Sequence, residues 1–228
     1  MNAVTSHPVF GVAVTVIAYA IAGRVQARWR WMPTLVTTCG LLMGLLLVDH
    51  ISLDDYHRGG DLVTFFLGPA TIALGVPLYK QFARIRRHAA AVGISVLLGS
   101  IFSIAAAALA VKIGHGSDIV FRSMLPKGVT TPIAIELSKP LHGVPELSAV
   151  FAVLGGLFGS IIGPKLLRLC GIHGDIAIGL AMGTSSHGIG TARVVRDSEL
   201  QAGASGLAMG LAGIITSVLI ALIALVLR

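Results

Sequence analysis

Residues 124–140 read M-L-P-K-G-V-T-T-P-I-A-I-E-L-S-K-P, and how this stretch meets a membrane decides the topology of the whole chain. Its apolar centre, residues 128–135, lies between Lys127 and Glu136 and is far shorter than the ~20 residues a helix needs to cross bilayer hydrocarbon. On either side stand runs of adequate length. Stretches free of Asp, Glu, Lys and Arg cover residues 2–23, 31–48, 62–79, 88–111, 147–164, 176–192 and 200–227. Were 128–135 to cross, the later loop with Lys165 and Arg168 would lie opposite the basic clusters Arg24, Arg28, Arg30 and Lys80, Arg84, Arg86, Arg87. If it enters and returns, these basic loops share the cytoplasmic side, as positive-inside asymmetry requires, and the N-terminus lies outside. Backbone that turns back at membrane depth is tolerated only where protein buries it or a polar cavity borders it. The expected fold is therefore an all-α polytopic integral membrane protein: about seven transmembrane helices plus a short re-entrant or broken segment.

Composition points the same way. The 228 residues hold 17 Lys and Arg and ten Asp and Glu, so 12% are charged, against the ~25% of a soluble domain. Hydrophobic residues make up 55% and the mean hydropathy is +0.88, which excludes a water-soluble enzyme. The net charge of +7 does not indicate nucleic acid, because the positives are not gathered with interleaved aromatics. No Lys or Arg precedes the first apolar run, so it reads as a retained span rather than a secretory signal. Cys39 and Cys170 lie in or beside apolar runs and read as small fillers. The eight histidines show no metal-ligand spacing, so neither a metal nor a cofactor is expected.

A shift of 115 residues lays Gly68 on Gly183, Gly75 on Gly190, Gly40 on Gly155 and Gly44 on Gly159, in segments that follow Asp61 and Asp175. The reading is a single membrane domain over 1–228. Its inverted halves would be 30–112 and 145–228, each with a Gly/Pro-interrupted helix, and the broken segment 124–143 between them. Paired interrupted helices point to a midplane substrate site in secondary transporters. In residues 67–80, L-G-P-A-T-I-A-L-G-V-P-L-Y-K, Pro69 and Pro77 each remove a backbone donor, which fits either a ligand site or a plain kinked helix. In 124–140, Lys127, Thr130, Thr131 and Pro132 form a candidate carboxylate receptor beside Glu136 and Lys139. The alternative there is snorkelling lysines and threonines bonded to their own helix.

The third stretch, residues 179–193, is G-L-A-M-G-T-S-S-H-G-I-G-T-A-R. It offers Thr184, Ser186, His187, Gly190, Thr191 and Arg193 as further substrate contacts, and its glycines place helix breaks at Gly183 and Gly188. A histidine inside a membrane leans functional, so His187 and Glu136 are the proton-coupling candidates. The G-A-S-G of residues 203–206 imitates an intramembrane serine-protease motif, but no histidine follows Ser205 to take its proton. It reads as close helix packing, and no enzymatic activity is expected.

Together P-K-G-V-T-T-P-I-A-I, L-G-P-A-T-I-A-L-G-V-P-L-Y, and G-T-S-S-H-G-I-G-T-A-R followed by A-S-G-L-A-M resemble the LrgB/CidB family of bacterial membrane proteins over essentially the whole chain. The resemblance implies a multi-pass bacterial inner-membrane protein, often encoded beside a small holin-like LrgA/CidA partner; a plant plastid relative translocates glycolate and glycerate. Gly128 departs from the pattern, which has serine after the lysine, and so does Leu-Ala-Gly at 211–213, where an asparagine often precedes the last glycine.

Two functions follow from the resemblance. One is a secondary carrier of a small monocarboxylate, of the pyruvate, glycolate or glycerate class, coupled to H+ or Na+. The other is a holin/antiholin-like regulator that acts on murein hydrolases and autolysis through membrane permeability. Both leave room for a homo-oligomer and for the LrgA/CidA-like partner. Polar groups clustered at helix breaks favour the carrier; a pore would need a polar stripe along a whole helix.

Overall fold

The computed structural model describes residues 7–227 apart from 30, 31, 33, 67, 68, 70, 71 and 74. The described residues form helices and no strands, as an all-α membrane protein requires. Among the described residues, four helical stretches are long and apolar enough to cross a bilayer: Pro8–Arg28, Leu78–Ile113, Pro145–Leu169 and Glu199–Val226. Thr34–Val48 is a shorter apolar helix. Contacts divide the chain into two compact units, Met1–Thr71 and Ile72–Arg228.

The first unit holds α1 (Pro8–Arg28), α2 (Thr34–Val48) and α3 (Leu53–Phe65). Gly11 of α1 and Gly59 of α3 let the two backbones meet, since a Cβ on either would run into the other's main chain. A 3.0 Å hydrogen bond between Thr15 Oγ1 and the Tyr56 hydroxyl adds to that contact.

In the second unit α4 (Gly75–Ile85) leads through a 3-10 turn at Arg86–His88 into α5 (Ala89–Ile113). Pro77 lies within α4 as described, three residues after the undescribed position 74. The expected break around Pro69 lies in the stretch where most residues are outside the described ones. After α5 come α6 (Asp118–Met124), a 3-10 turn (Leu125–Gly128), α7 (Thr131–Ser138), α8 (Pro145–Leu169), α9 (Asp175–Val194) and α10 (Glu199–Val226).

Residues 118–142 enter and return. Arg122 Nη1 donates to Leu141 O at 3.0 Å, and the Val144 N–H donates to Ser123 Oγ at 2.8 Å. These bonds hold the entrance and exit of the segment together, so it is a re-entrant hairpin whose extended tip is Val129–Thr130.

The run 176–192, expected to cross as one helix, is a second hairpin. His187 has φ 40° and ψ −130°, which no α-helix contains. Beyond it the chain doubles back: a Cβ on Gly190 would lie 2.6 Å from Met182 O, although eight residues of straight helix span about 12 Å. Ser198 and Gln201 both donate to the Asp175 carboxylate, at 3.1 and 2.8 Å, which closes the base. The break therefore falls on His187 and not on the expected Gly183 or Gly188. Gly183 remains helical because its missing side chain admits the backbone of Ser205 on α10.

The hairpins enter from opposite ends of α8. Ser123, at the base of the first, accepts from Val144 just before α8 begins, whereas Asp175, at the base of the second, follows shortly after α8 ends. Inward arms 118–128 and 175–186 each reach roughly 18 Å, somewhat over half of a ~30 Å hydrocarbon layer. The repeat visible here is shorter than the 115-residue one. A long helix and a hairpin (α5 with 118–142) are followed by an antiparallel helix and hairpin (α8 with α9), about 57 residues later. Leu98, Gly99 and Phe102 recur as Leu154, Gly155 and Phe158, and Asp118-Ile119 as Asp175-Ile176.

Candidate functional site

The two tips come together on one turn of α8. Ala152 packs against Val129 of the first tip, and its carbonyl accepts a 3.0 Å hydrogen bond from His187 Nε2 of the second. Gly156 makes room for the imidazole, since a Cβ there would lie 2.7 Å from its ring. Gly159 likewise receives Ser186, and Gly163 receives Met182. One small-residue face of α8 is thus shaped to the inward arm of the second hairpin.

Beside this junction lies a cavity of about 640 Å³. From α5 it is lined by Ser95, Gly99 and Ser103, which share a face at a spacing of four; from the tips come Lys127, Thr184 and Ser185. Phe102, Leu166, Leu180 and Met182 supply apolar wall. No carboxylate lines it, and among the described residues no ion pair or hydrogen bond engages the Lys127 ammonium. A cation held in an apolar surround without a counter-charge is expensive, and an anionic ligand removes that cost. The hydroxyls of Ser103 and Thr184 likewise have no hydrogen-bond partner among the described residues, so they are available as donors.

Of the residues expected from sequence, Lys127 and Thr184 line this cavity. Ser186 and His187 are buried just behind it, in contact with α8. Thr191 is fully buried, with its hydroxyl 2.8 Å from both His187 O and Ser205 Oγ. It caps the turn and ties the returning arm to α10, and Ser205 serves helix packing. Gly190 lies against Met182 and Ser186 and lets the two arms close. Thr130 and Thr131 are half-buried at the first tip, where the Thr130 carbonyl accepts from Ala134 N at 2.9 Å. Neither they nor Pro132 line the cavity. Glu136 is exposed and paired with Lys139 at 2.7 Å. Arg193 donates to both oxygens of Asp197, at 3.0 and 2.9 Å, and lines a different recess.

Sequence reading missed Ser95, Gly99, Ser103 and Ser185. Ser185 sits inside the quoted motif, but the α5 residues stand in the uncharged run 88–111, outside all three quoted stretches. Their spacing of four was the available signal, because it gathers small and polar residues on one face of a helix. Among the described residues no group of three or more His, Cys, Asp or Glu comes together to hold a metal.

Opposed re-entrant hairpins around a cation-bearing cavity define a polytopic membrane protein built on broken helices. The LrgB-like family model matches residues 15–226, and the chain belongs to that family. It is 38% identical over 205 residues to the uncharacterized protein YwbG of Bacillus subtilis, covering 89% of this chain and 91% of the relative. It is also similar to proteins named antiholin-like protein LrgB: 31% over 220 residues in Bacillus subtilis and 30% over 222 residues in Bacillus mycoides, with 95% of each chain covered in both cases. No solved structure matches the chain.

Proposed function

We propose that this LrgB-type membrane protein is a secondary carrier of small monocarboxylates, of the pyruvate, glycolate or glycerate class. The observation that carries the reading is the unpaired Lys127 ammonium in a cavity lined by hydroxyls and by no carboxylate. A carboxylate would take Lys127 as counter-ion, with the Ser103 and Thr184 hydroxyls donating to its oxygens and to a neighbouring hydroxyl or keto group; the Ser185 hydroxyl donates to Ala181 O at 2.7 Å and offers the ligand only an acceptor. Those added donors supply selectivity, since charge alone accepts any anion. Half-membrane hairpins from opposite sides give the two access routes that alternating access needs.

The coupling ion is H+ or Na+. His187 is the favoured proton site, because Nε2 donates to Ala152 and Nδ1 keeps a free lone pair. Glu136, exposed and paired with Lys139 at the base of the first hairpin, is the weaker one. In the second unit, Lys80 pairs with Glu199 at 3.2 Å, so the middle of α4 and the start of α10 lie at one end. The basic clusters at 80–87, 165–168 and 193–196 gather there, and we assign that end to the cytoplasm by positive-inside bias. We assign the protein to the bacterial inner membrane, and the basic cluster Arg24, Arg28 and Arg30 after the first apolar run puts the N-terminus outside by the same bias.

The relatives' antiholin-like names favour a second reading, in which the protein regulates permeability and autolysis with a small holin-like partner or as a homo-oligomer. Proteoliposomes separate the two. The carrier reading expects saturable uptake of labelled pyruvate, glycolate, lactate or glycerate, lost more than tenfold in Lys127→Ala and reduced in His187→Ala. Absence of uptake with and without an LrgA-like partner, or unselective dye leakage in its place, would sink it.

A further inference from the structure

At the basic end of the second unit, Lys165 and Arg168 from the last turns of α8 and Arg193 from the last turn of α9 line a recess of about 330 Å³. Asp197 holds Arg193, but among the described residues no carboxylate engages Lys165 or Arg168. Two positive charges therefore stand one turn apart on the α8 wall of the recess without compensation. The remaining wall includes Ile161 and Leu169, 50% and 75% exposed, and the same face of α8 continues inward as the exposed Phe158 and Ile162. An exposed apolar stripe on a membrane-crossing helix faces acyl chains. Its C-terminal end meets the cations in the last turns of α8, so the recess has a polar head position and an apolar tail position in the order that a lipid has them.

We propose that this recess binds the phosphate of an anionic phospholipid, with Lys165 and Arg168 as its principal donors and the acyl chains along Ile161 and Leu169. Basic pockets between helices at the cytoplasmic face are suited to such head groups. Arg193 completes the site while remaining bonded to Asp197. Because Arg193 ends the returning arm of the second hairpin, a bound lipid ties the base of that hairpin to the end of α8. The site is separate from the cavity and does not depend on what the cavity carries.

The test is native mass spectrometry and thermal unfolding of the full chain in detergent, with phosphatidylglycerol, phosphatidylcholine or inorganic phosphate added. Phosphatidylglycerol is expected to stay bound and to raise the melting temperature, and zwitterionic phosphatidylcholine to do neither. Retention should weaken about fivefold for each cation removed in Lys165→Ala and Arg168→Ala. Should the double variant not fold, Lys165→Gln with Arg168→Gln keeps the packing stems and serves in its place. Lys139→Ala, at the opposite end, should leave binding unchanged. Equal retention by the double variant and the parent overturns the proposal. So does displacement of the lipid by millimolar inorganic phosphate, which would make the recess a free-anion site.

Discussion

His187 is the residue on which the second hairpin turns, and its backbone sits where glycine would be comfortable. A φ of 40° on a residue with a side chain costs on the order of 1–3 kcal/mol, so the surroundings must hold it there. They do so through the ring, which bonds to Ala152, and through the carbonyl, which Thr191 caps. Two substitutions separate these roles. His187→Ala keeps the strain and loses the ring, whereas His187→Gly loses both. The alanine variant should therefore unfold at the lower temperature, by the equivalent of about 1 kcal/mol. If the two melt together, the backbone is not strained and the ring alone positions the turn. This also shows why the break was misplaced from sequence. Composition favours glycine as the breaker, but here a tertiary bond from one side chain outweighs the preference, and Gly183 is kept for close packing. Gly128 tells a similar story, because a Cβ there would press into the Ser103 hydroxyl. Gly128→Ser should lower the melting temperature, and adding Ser103→Ala should recover part of the loss.

Elements explain why small residues crowd this chain. The inward arm of the second hairpin is clasped between α8 and α10, and glycines stand on both contacts. On the α8 side Gly159 gives way to the Ser186 side chain; on the α10 side Gly179 and Gly183 face the backbone of Gln201 and Ser205. These contacts differ in what can relieve them. Gly159→Ala should cost about 1–3 kcal/mol and be partly rescued by Ser186→Ala, which removes the obstructing hydroxyl. Gly183→Ala meets a main-chain carbonyl, so no partner truncation should rescue it. Thermal unfolding of the singles and the double decides both, and an equal rescue of Gly183→Ala by Ser205→Ala would refute the backbone contact. At this scale the sequence was informative in part. A piece too short to cross announced the first hairpin, because a length limit is a local fact. The second hid inside an apolar run of full spanning length, where only tertiary contacts such as Gly190 on Met182 distinguish a crossing from a return. The echo at about 57 residues is carried in sequence by L-G-x-x-F at 98–102 and 154–158, three matching positions that do not stand out in a chain with 28 glycines.

For the whole molecule, the decisive consequence of two hairpins is sidedness. In a straight crossing, residues 175–194 would put Cys170 and Arg196 on opposite faces of the membrane. A hairpin puts them on the same face, together with Lys80 and Glu199, and puts Gly116 and His142 on the other. Cys170 is exposed and provides a native reporter. In a Cys39→Ser background, an impermeant maleimide should label Cys170 only after the membrane is opened, if the basic end faces the cytoplasm. A cysteine introduced at Arg196 in a Cys170→Ser chain should behave in the same way, and one at Gly116 should be labelled in intact cells. Labelling of Arg196→Cys in intact cells while Cys170 stays protected would mean that α9 crosses. The cavity would then lose one of its two tips, and the carrier reading would lose its opposed access routes. Labelling of Cys170 and Arg196→Cys together from outside would keep the hairpin and invert the orientation. The lipid recess would then face the outer leaflet, and the positive-inside bias of this chain would have misled.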